Sequence, residues 1–266
     1  LAVILVRCSG WHIREVPGGR KTGQWIVASA IGLHFTSEVM SQLLAHFPII
    51  LAGAIGTLLL SLIGIAVLVR SDVDRATAFF ASMPGGASEM VNLAQRHNAE
   101  IARVAAAHSL RLLMVVLIVP ALFTWSLPDT PRPPPAPADA FWLAILLPAG
   151  AALAWVWGKL KQPNPWMLGP LTVCAVASVS FDLHIGLPQG LGQVGQWLIG
   201  CALGCHFDRA FFRSAPAFLA RIILFTLLAM LTAAGLATGL GWIAGQDSVS
   251  LMLGMMPGGI TELCLT

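Results

Sequence analysis

Met83-Pro84-Gly85-Gly86-Ala87-Ser88-Glu89 recurs 173 residues later as Met256-Pro257-Gly258-Gly259-Ile260-Thr261-Glu262, and the reading of the chain turns on this pair. Each copy interrupts an apolar run, Ala76–Ser82 in the first case and Leu251–Met256 in the second. Proline removes a backbone donor and clashes with the preceding turn, while paired glycines favour an open backbone. At membrane depth such a break cannot face lipid, so it must be buried in protein or line a wet cavity. A helix starting near Ala87, or near Ile260, would put Glu89 and Glu262 in its first turn, beside free amides and the positive end of the helix dipole. Two readings follow for each carboxylate: an ordinary N-terminal helix residue, or an intramembrane group that binds a proton or cation. Ser88 and Thr261 are either caps or additional hydroxyl ligands, and a single Pro-Gly-Gly run could be no more than a kink.

A second repeated block stands ahead of each break. Gly23, Gln24, Trp25, Ala30, Gly32, His34 and Phe35 recur as Gly195, Gln196, Trp197, Ala202, Gly204, His206 and Phe207, at an offset of 172. Two blocks recurring at nearly the same offset make the chain a duplication, which is the first thing to settle in any reading. Three regions follow: a first membrane repeat over 1–125, a proline-rich linker over 126–140, and a second repeat over 141–266. Broken segments at matching positions of two repeats are the best sequence pointer to a transporter's central site. The matched His34 and His206 are secondary candidates, although a lone histidine at a helix end more often bonds to backbone. Cys201, Cys205 and His206 lie near one helix face, but their counterparts are Ser29, Leu33 and His34. Only the histidine is kept, so metal ligation is not expected. Ala28-xxx-Gly32 and Gly200-xxx-Gly204 are small-xxx-small pairs suited to close helix packing.

Composition agrees with a lipid solvent. Of 266 residues, 57% are hydrophobic and 10% charged, with a mean hydropathy of +0.80, whereas soluble domains carry roughly 25% charged residues. The formal net charge of +3 is small and scattered, with no phosphate-neutralising patch, so direct nucleic-acid binding is not expected. The five cysteines form no disulfide framework. Tryptophans at the ends of apolar runs, Trp25 and Trp197 among them, suit interfacial anchoring.

Apolar stretches of spanning length are expected at Phe47–Val69, Leu110–Trp125, Phe141–Trp157, Trp166–Phe181, Gln193–Phe207 and Ala217–Trp242. Gly23–Phe35 reads as a short helix, Thr36–His46 as a loop, and Ser88–His108 as a polar helix of its own. Leu1–Val6 reads as the tail of a span, and the chain as a fragment of a longer protein. Lys and Arg favour cytoplasmic loops. Arg7, Arg14, Arg20 and Lys21 precede the first Gly-Gln-Trp helix, whereas Arg209, Arg213 and Arg221 follow the second. Arg70, Arg75, Arg96, Arg103 and Arg111 join the cytoplasmic set if the first break dips into the bilayer and returns. Five crossings and one re-entrant element per repeat then make the repeats inverted. The fold class expected is all-α: a polytopic membrane helix bundle of two inverted repeats with re-entrant or broken helices, multi-pass in a bacterial inner membrane.

The twin Met-Pro-Gly-Gly signatures, the Gly-Gln-Trp helices and the Pro165–Pro170 run (PWMLGP) together resemble the AbrB-like duplicated membrane protein family, across nearly the whole chain. A full member should carry a similar proline run ahead of Leu1 and a final span after Thr266. The small soluble DNA-binding regulator of the same name is a different fold. Family members are often labelled ammonia monooxygenase or regulator. The first label implies a copper or iron site, but the seven histidines are scattered and no His/carboxylate set stands at metal spacing; no cofactor and no oxygenase chemistry are expected. The second implies an indirect effect on gene expression. The leading expectation is a secondary-transporter-like protein for a small solute. Pro84, Gly85, Gly86, Ser88 and Glu89 would face Pro257, Gly258, Gly259, Thr261 and Glu262, the glycine amides receiving an anionic group and the carboxylates a coupling proton or cation. A membrane regulator or sensor is the alternative.

Overall fold

The computed structural model describes residues 16–71, 73–126, 136–205, 216–245 and 248–255, with residues 3, 6, 7 and 9–11 ahead of them. Backbone that cannot bond to lipid must close its hydrogen bonds on itself, and the described residues do so as helices. In chain order these are α1 (Gly19–Leu33), α2 (Ser37–Ala45), α3 (Phe47–Leu68), α4 (Arg75–Ser82), α5 (Ala87–Arg96) and α6 (Ile101–Ser126). After the linker come α7 (Ala140–Lys159), α8 (Pro165–Phe181), α9 (Leu191–Gly204), α10 (Pro216–Ala244) and α11 (Ser248–Met255). Stretches within α3, α6, α7 and α10 are long and apolar enough to cross a bilayer, and α8 is a shorter apolar helix. The chain is an all-α membrane protein.

Helix α3 shows why lipid is the right solvent. Its outward residues Leu51, Ile55, Leu58, Leu59 and Leu62 are large, apolar and exposed. Its buried side consists of Gly53, Leu60, Ser61, Gly64 and Leu68. The small and polar residues Gly53, Ser61 and Gly64 face the protein beside two leucines, while the outward face is branched hydrocarbon, unlike the polar outer face of a soluble amphipathic helix.

The chain forms two compact units, Leu1–Ala45 with Asp129–Arg209, and His46–Pro128 with Ala210–Thr266. Each unit therefore takes helices from both halves of the duplicated sequence. The first unit is built on glycine contacts. A Cβ on Gly23 of α1 would lie 2.6 Å from the Gly195 carbonyl oxygen and 2.8 Å from Ile199 Cγ1 of α9. A Cβ on Gly195 would lie 3.0 Å from Ile26 and 3.1 Å from Val27. The repeat offset equates Gly23 with Gly195, Ile26 with Leu198 and Val27 with Ile199, so the contact is its own image. Reciprocal contacts of this kind are what a local two-fold axis produces. On its other side α1 meets α8, where a Cβ on Gly32 would fall 2.6 Å from Cys174 Cβ. The Trp25 indole donates to the Leu147 carbonyl of α7 at 3.0 Å. This tryptophan ties helices together instead of anchoring at an interface, while its repeat partner Trp197 is exposed.

The second unit's core joins Ala78, Phe80 and Ala81 of α4 to Ala94 of α5, Val104, Ala107 and Leu110 of α6, and Phe218 and Ile222 of α10. Asp74 caps α4, its carboxylate accepting the Thr77 amide at 3.0 Å. The polar stretch expected as one helix over Ser88–His108 is instead cut in two. Asn98 adopts a left-handed φ of 56°, and the Ala99 amide reaches back to the Ala94 carbonyl at 2.9 Å. This is a Schellman stop, sealed by burial of Ala94 and Ala99 in one cluster. Residues from Ile101 onward then join the following span, so α6 begins nine residues before the expected Leu110. Thr36–His46, expected as a loop, contains α2. Gly200, expected in a packing pair with Gly204, has no described atom within 4 Å of the point where a Cβ would stand. Residues 127–135 of the linker and most of Leu1–Val6 lie outside the described residues.

The Gly23 contact is with backbone and cannot move aside. Gly23→Ala should lower stability by about 1–3 kcal/mol, whereas Gly200→Ala should be neutral or stabilise by up to about 1 kcal/mol. Thermal unfolding of the purified protein in detergent distinguishes them, and equal responses would rule out the reciprocal contact.

Candidate functional site

The first break lies where α4 ends. Met83 takes φ −60° and ψ 139°, and Gly86 φ −61° and ψ 132°, so the backbone is extended at both ends of the segment between α4 and α5. In an unbroken helix each carbonyl would accept from the amide four residues on. Pro84 has no amide for Phe80, and the extended backbone withdraws the partners of Ser82 and Met83. Orphan carbonyls in a low-dielectric interior cost several kcal/mol each.

Two side chains of α6 answer this need. The imidazole of His108 is 2.8 Å from the Phe80 carbonyl through Nε2. Arg111 donates to the Ser82 carbonyl at 3.1 Å and to the Met83 carbonyl at 3.1 Å. Arg111 Nη2 is also 2.8 Å from His108 Nδ1. A guanidinium has no acceptor, so Nδ1 must be the unprotonated nitrogen and Nε2 must carry the proton given to Phe80. His108 and Arg111 stand three residues apart, on one face of α6. Both are buried, Arg111 with 6% of its surface exposed. A cation at the end of α4 also opposes the negative pole of that helix. Arg111 is expected from the sequence among the cytoplasmic charges. The early start of α6 carries it into the span instead.

Beside this cluster is a cavity of about 100 Å³. Thr57 and Ser61 of α3, Ser82 and Pro84 at the break, and Arg111 form its polar side. Leu60, Phe225 and Ala229 supply apolar wall, and Gly254 and Met255 of α11 close it. Gly64 holds the walls at this spacing: a Cβ there would lie 2.5 Å from both Phe225 Cζ and Ser82 Cβ. Ser61 adds a contact across to the Met83 sulfur at 3.3 Å. Among the described lining residues Arg111 carries the charged side chain, and it holds protein partners of its own.

Of the residues singled out in the sequence, Pro84 lines this cavity. Gly85 packs on the Met90 side chain of α5, where a Cβ would come within 2.9 Å of its methyl. Gly86 is the N-cap of α5, so the backbone of Ser88 and Glu89 falls in the first turn, as the sequence leads one to expect; their side chains lie outside what is described. Pro257, Gly258, Gly259, Thr261, Glu262 and His206 lie outside the described residues. Met255, two residues before Pro257, is at the cavity wall. His34 belongs to the other compact unit and is exposed, its Nδ1 2.7 Å from the Ala30 carbonyl one turn back. The sequence reading missed His108 and Arg111 as site residues. Their signal was present: two ionisable groups at helical spacing, at the edge of an apolar run.

The family profile described as "Transition state regulatory protein AbrB" matches residues 1–266. The chain is 31% identical over 251 residues to the protein named "Putative regulator AbrB" of Escherichia coli (strain K12), covering 91% of this chain and 71% of that protein. It is 28% identical over 271 residues to protein YhjN of Bacillus subtilis (strain 168), covering 92% of this chain and 69% of the relative.

Two outcomes test the geometry. Gly64→Ala should cost about 1–3 kcal/mol of stability in detergent, because Phe225 and Ser82 must both give way; no loss would mean the walls are not in contact. Asp74 is held below its ordinary value of 3.8, first by the Thr77 hydroxyl, against an opposing effect of burial, and then by the Thr77 and Ala76 amides. A depressed folded value means that its contribution is whole above the ordinary value and fades as pH falls through the folded one. Asp74→Ala should therefore cost about 1 kcal/mol near neutrality, and the difference from the unaltered protein should close below pH 3.8.

Proposed function

From a chain that belongs to the AbrB family, with membrane-spanning helices and a broken helix opening on a buried cavity, we propose a secondary-transporter-like protein that moves a small solute. The observation that carries the proposal is the cavity bounded by Ser82 and Pro84 of one break and by Met255, next to the second Met-Pro-Gly-Gly run. Interrupted helices around a central pocket are the usual construction of a solute site in transporters built from repeats. In this reading the two repeats are inverted, over 1–125 and 141–266 with the linker between. The pocket is opened alternately to either side of a bacterial inner membrane. Glu89 and Glu262 bind the coupling proton or cation, Ser88 and Thr261 assist them, and the amides of Gly85, Gly86, Gly258 and Gly259 face the solute.

A second reading draws on the name of the Escherichia coli relative, which is that of a regulator. In that reading a membrane protein acts on expression indirectly, as a sensor whose cavity binds a signal without passing it on. The family's oxygenase label has no comparable support.

Full-length protein in proteoliposomes separates the two. Solute-evoked currents on a supported membrane, screened with small organic anions and cations, are expected for the unaltered protein. Combined Glu89→Gln and Glu262→Gln should reduce the coupled current by about tenfold or more. Unchanged current in that double variant would sink the coupling role. Absence of any evoked current, with expression changes in a deletion strain restored equally by the double variant, would favour the sensor.

A further inference from the structure

We infer that the exposed face of α9 carrying Gly200 and Cys201 is the seat of the helix that stops at Gly10, docked there as α8 is docked on α1. Such docking closes the first unit and is independent of any solute.

The helix ahead of Gly10 is the repeat counterpart of α8. Val3, Val6 and Arg7 are helical. The turn after them has the Trp11 amide on the Val6 carbonyl at 3.3 Å and Gly10 at a left-handed φ of 101°. Helix α8 stops in the same way, with the Leu183 amide on the Ser178 carbonyl at 3.0 Å and Asp182 at φ 49°. Positions 6, 10 and 11 match 178, 182 and 183 at the repeat offset of 172. The match continues to the start of the next helix. The Gly19 amide meets the Val16 carbonyl at 2.8 Å, and its counterpart Leu191 meets Pro188 at 3.1 Å. Gly18 and Gly190 take φ 75° and 87°. The duplication is therefore visible in backbone geometry as well as in sequence.

The two seats differ in what covers them. On α1, Ala28 and Ser29 are both 0% exposed. Ser29 meets the Cys174 thiol of α8, and a Cβ on Gly32 would lie 2.6 Å from Cys174 Cβ. The matched Gly200 and Cys201 of α9 are exposed. Helices α1 and α9 already meet reciprocally through Gly23 and Gly195. A two-fold relation between them carries α8 onto the open face of α9, where Gly200, Cys201 and Gly204 permit the close approach that helices in lipid rely on. A second copy of the chain is not bound by that relation; the helix ahead of Gly10 is. By register Ala2 stands for Cys174, and so faces Cys201. Leu5 stands for Ala177, which shares a buried cluster with Leu33, and so faces Cys205. Ile4 stands for Val176, 60% exposed, and faces away.

The test is disulfide formation in full-length protein in membrane vesicles, with Cys201 kept and Cys8, Cys174, Cys205 and Cys264 replaced by alanine. Under copper–phenanthroline oxidation, Ala2→Cys should link to Cys201 within one chain, as read by mass spectrometry of the joined peptides. Ile4→Cys should link about tenfold less, because a disulfide needs Cβ atoms roughly 4 Å apart. Ala2→Cys supplies the residue that α8 carries at the matched place, and its thermal unfolding is measured in parallel. Leu5→Cys, with Cys205 kept and Cys201 replaced, decides independently if the first variant fails to fold. No internal link from either folded variant, or equal linking by Ile4→Cys, would overturn the docking. A link between the Cys201 residues of two copies in place of the internal one would overturn it too, and would assign the face to a homodimer.

Discussion

The bond network from α6 to the end of α4 is what the rest of the second unit depends on. Pro84 and the break after it strip the carbonyls at the end of α4, among them those of Phe80, Ser82 and Met83, of their helical partners. Hydrocarbon offers no replacement, and the loss of even one such bond is comparable to a large share of a domain's net stability. His108 and Arg111 supply the missing donors from within the protein. The break is thereby satisfied from within the protein, and a charged group is buried among the helices.

This arrangement explains why structure and candidate function are hard to separate in Arg111. As a cap it satisfies the backbone of a broken helix. As a buried polar group it also stands at the wall of the cavity beside Pro84. The second role comes from the first, because a guanidinium locked by two carbonyls and an imidazole presents its charge in a fixed direction.

The first unit solves a different problem. Association of helices in lipid gains little from hiding hydrocarbon, so it relies on close approach and complementary shape. The contact of α1 with α9 uses Gly23 and Gly195, equivalent positions of the duplicated sequence, in a reciprocal pattern. A duplication that meets itself through the same residues needs only one favourable surface to be made twice. Since each compact unit takes helices from both halves of the sequence, the units are not the repeats.

Much of the architecture is legible in the sequence alone. The shortage of charge, the long apolar runs, the twin Met-Pro-Gly-Gly breaks and the helix start at Ala87 all follow from local chemistry: solvent transfer, proline's missing donor, glycine's freedom. Helix boundaries are legible where local chemistry is strong, as at Ala87 after the paired glycines. They are misjudged at Asn98, where a Schellman stop depends on a single residue entering the left-handed region. What only the tertiary structure decided was which neighbours meet. No periodicity in His-Ser-Leu-Arg shows that His108 and Arg111 turn towards the carbonyls some thirty residues upstream, nor that the matched glycines of two repeats touch. Local sequence sets the need of an interrupted helix for donors. Only the packing of one helix on another determines who provides them, because hydrogen bonds act over about 3 Å and the chain brings distant residues within that range only once it is folded.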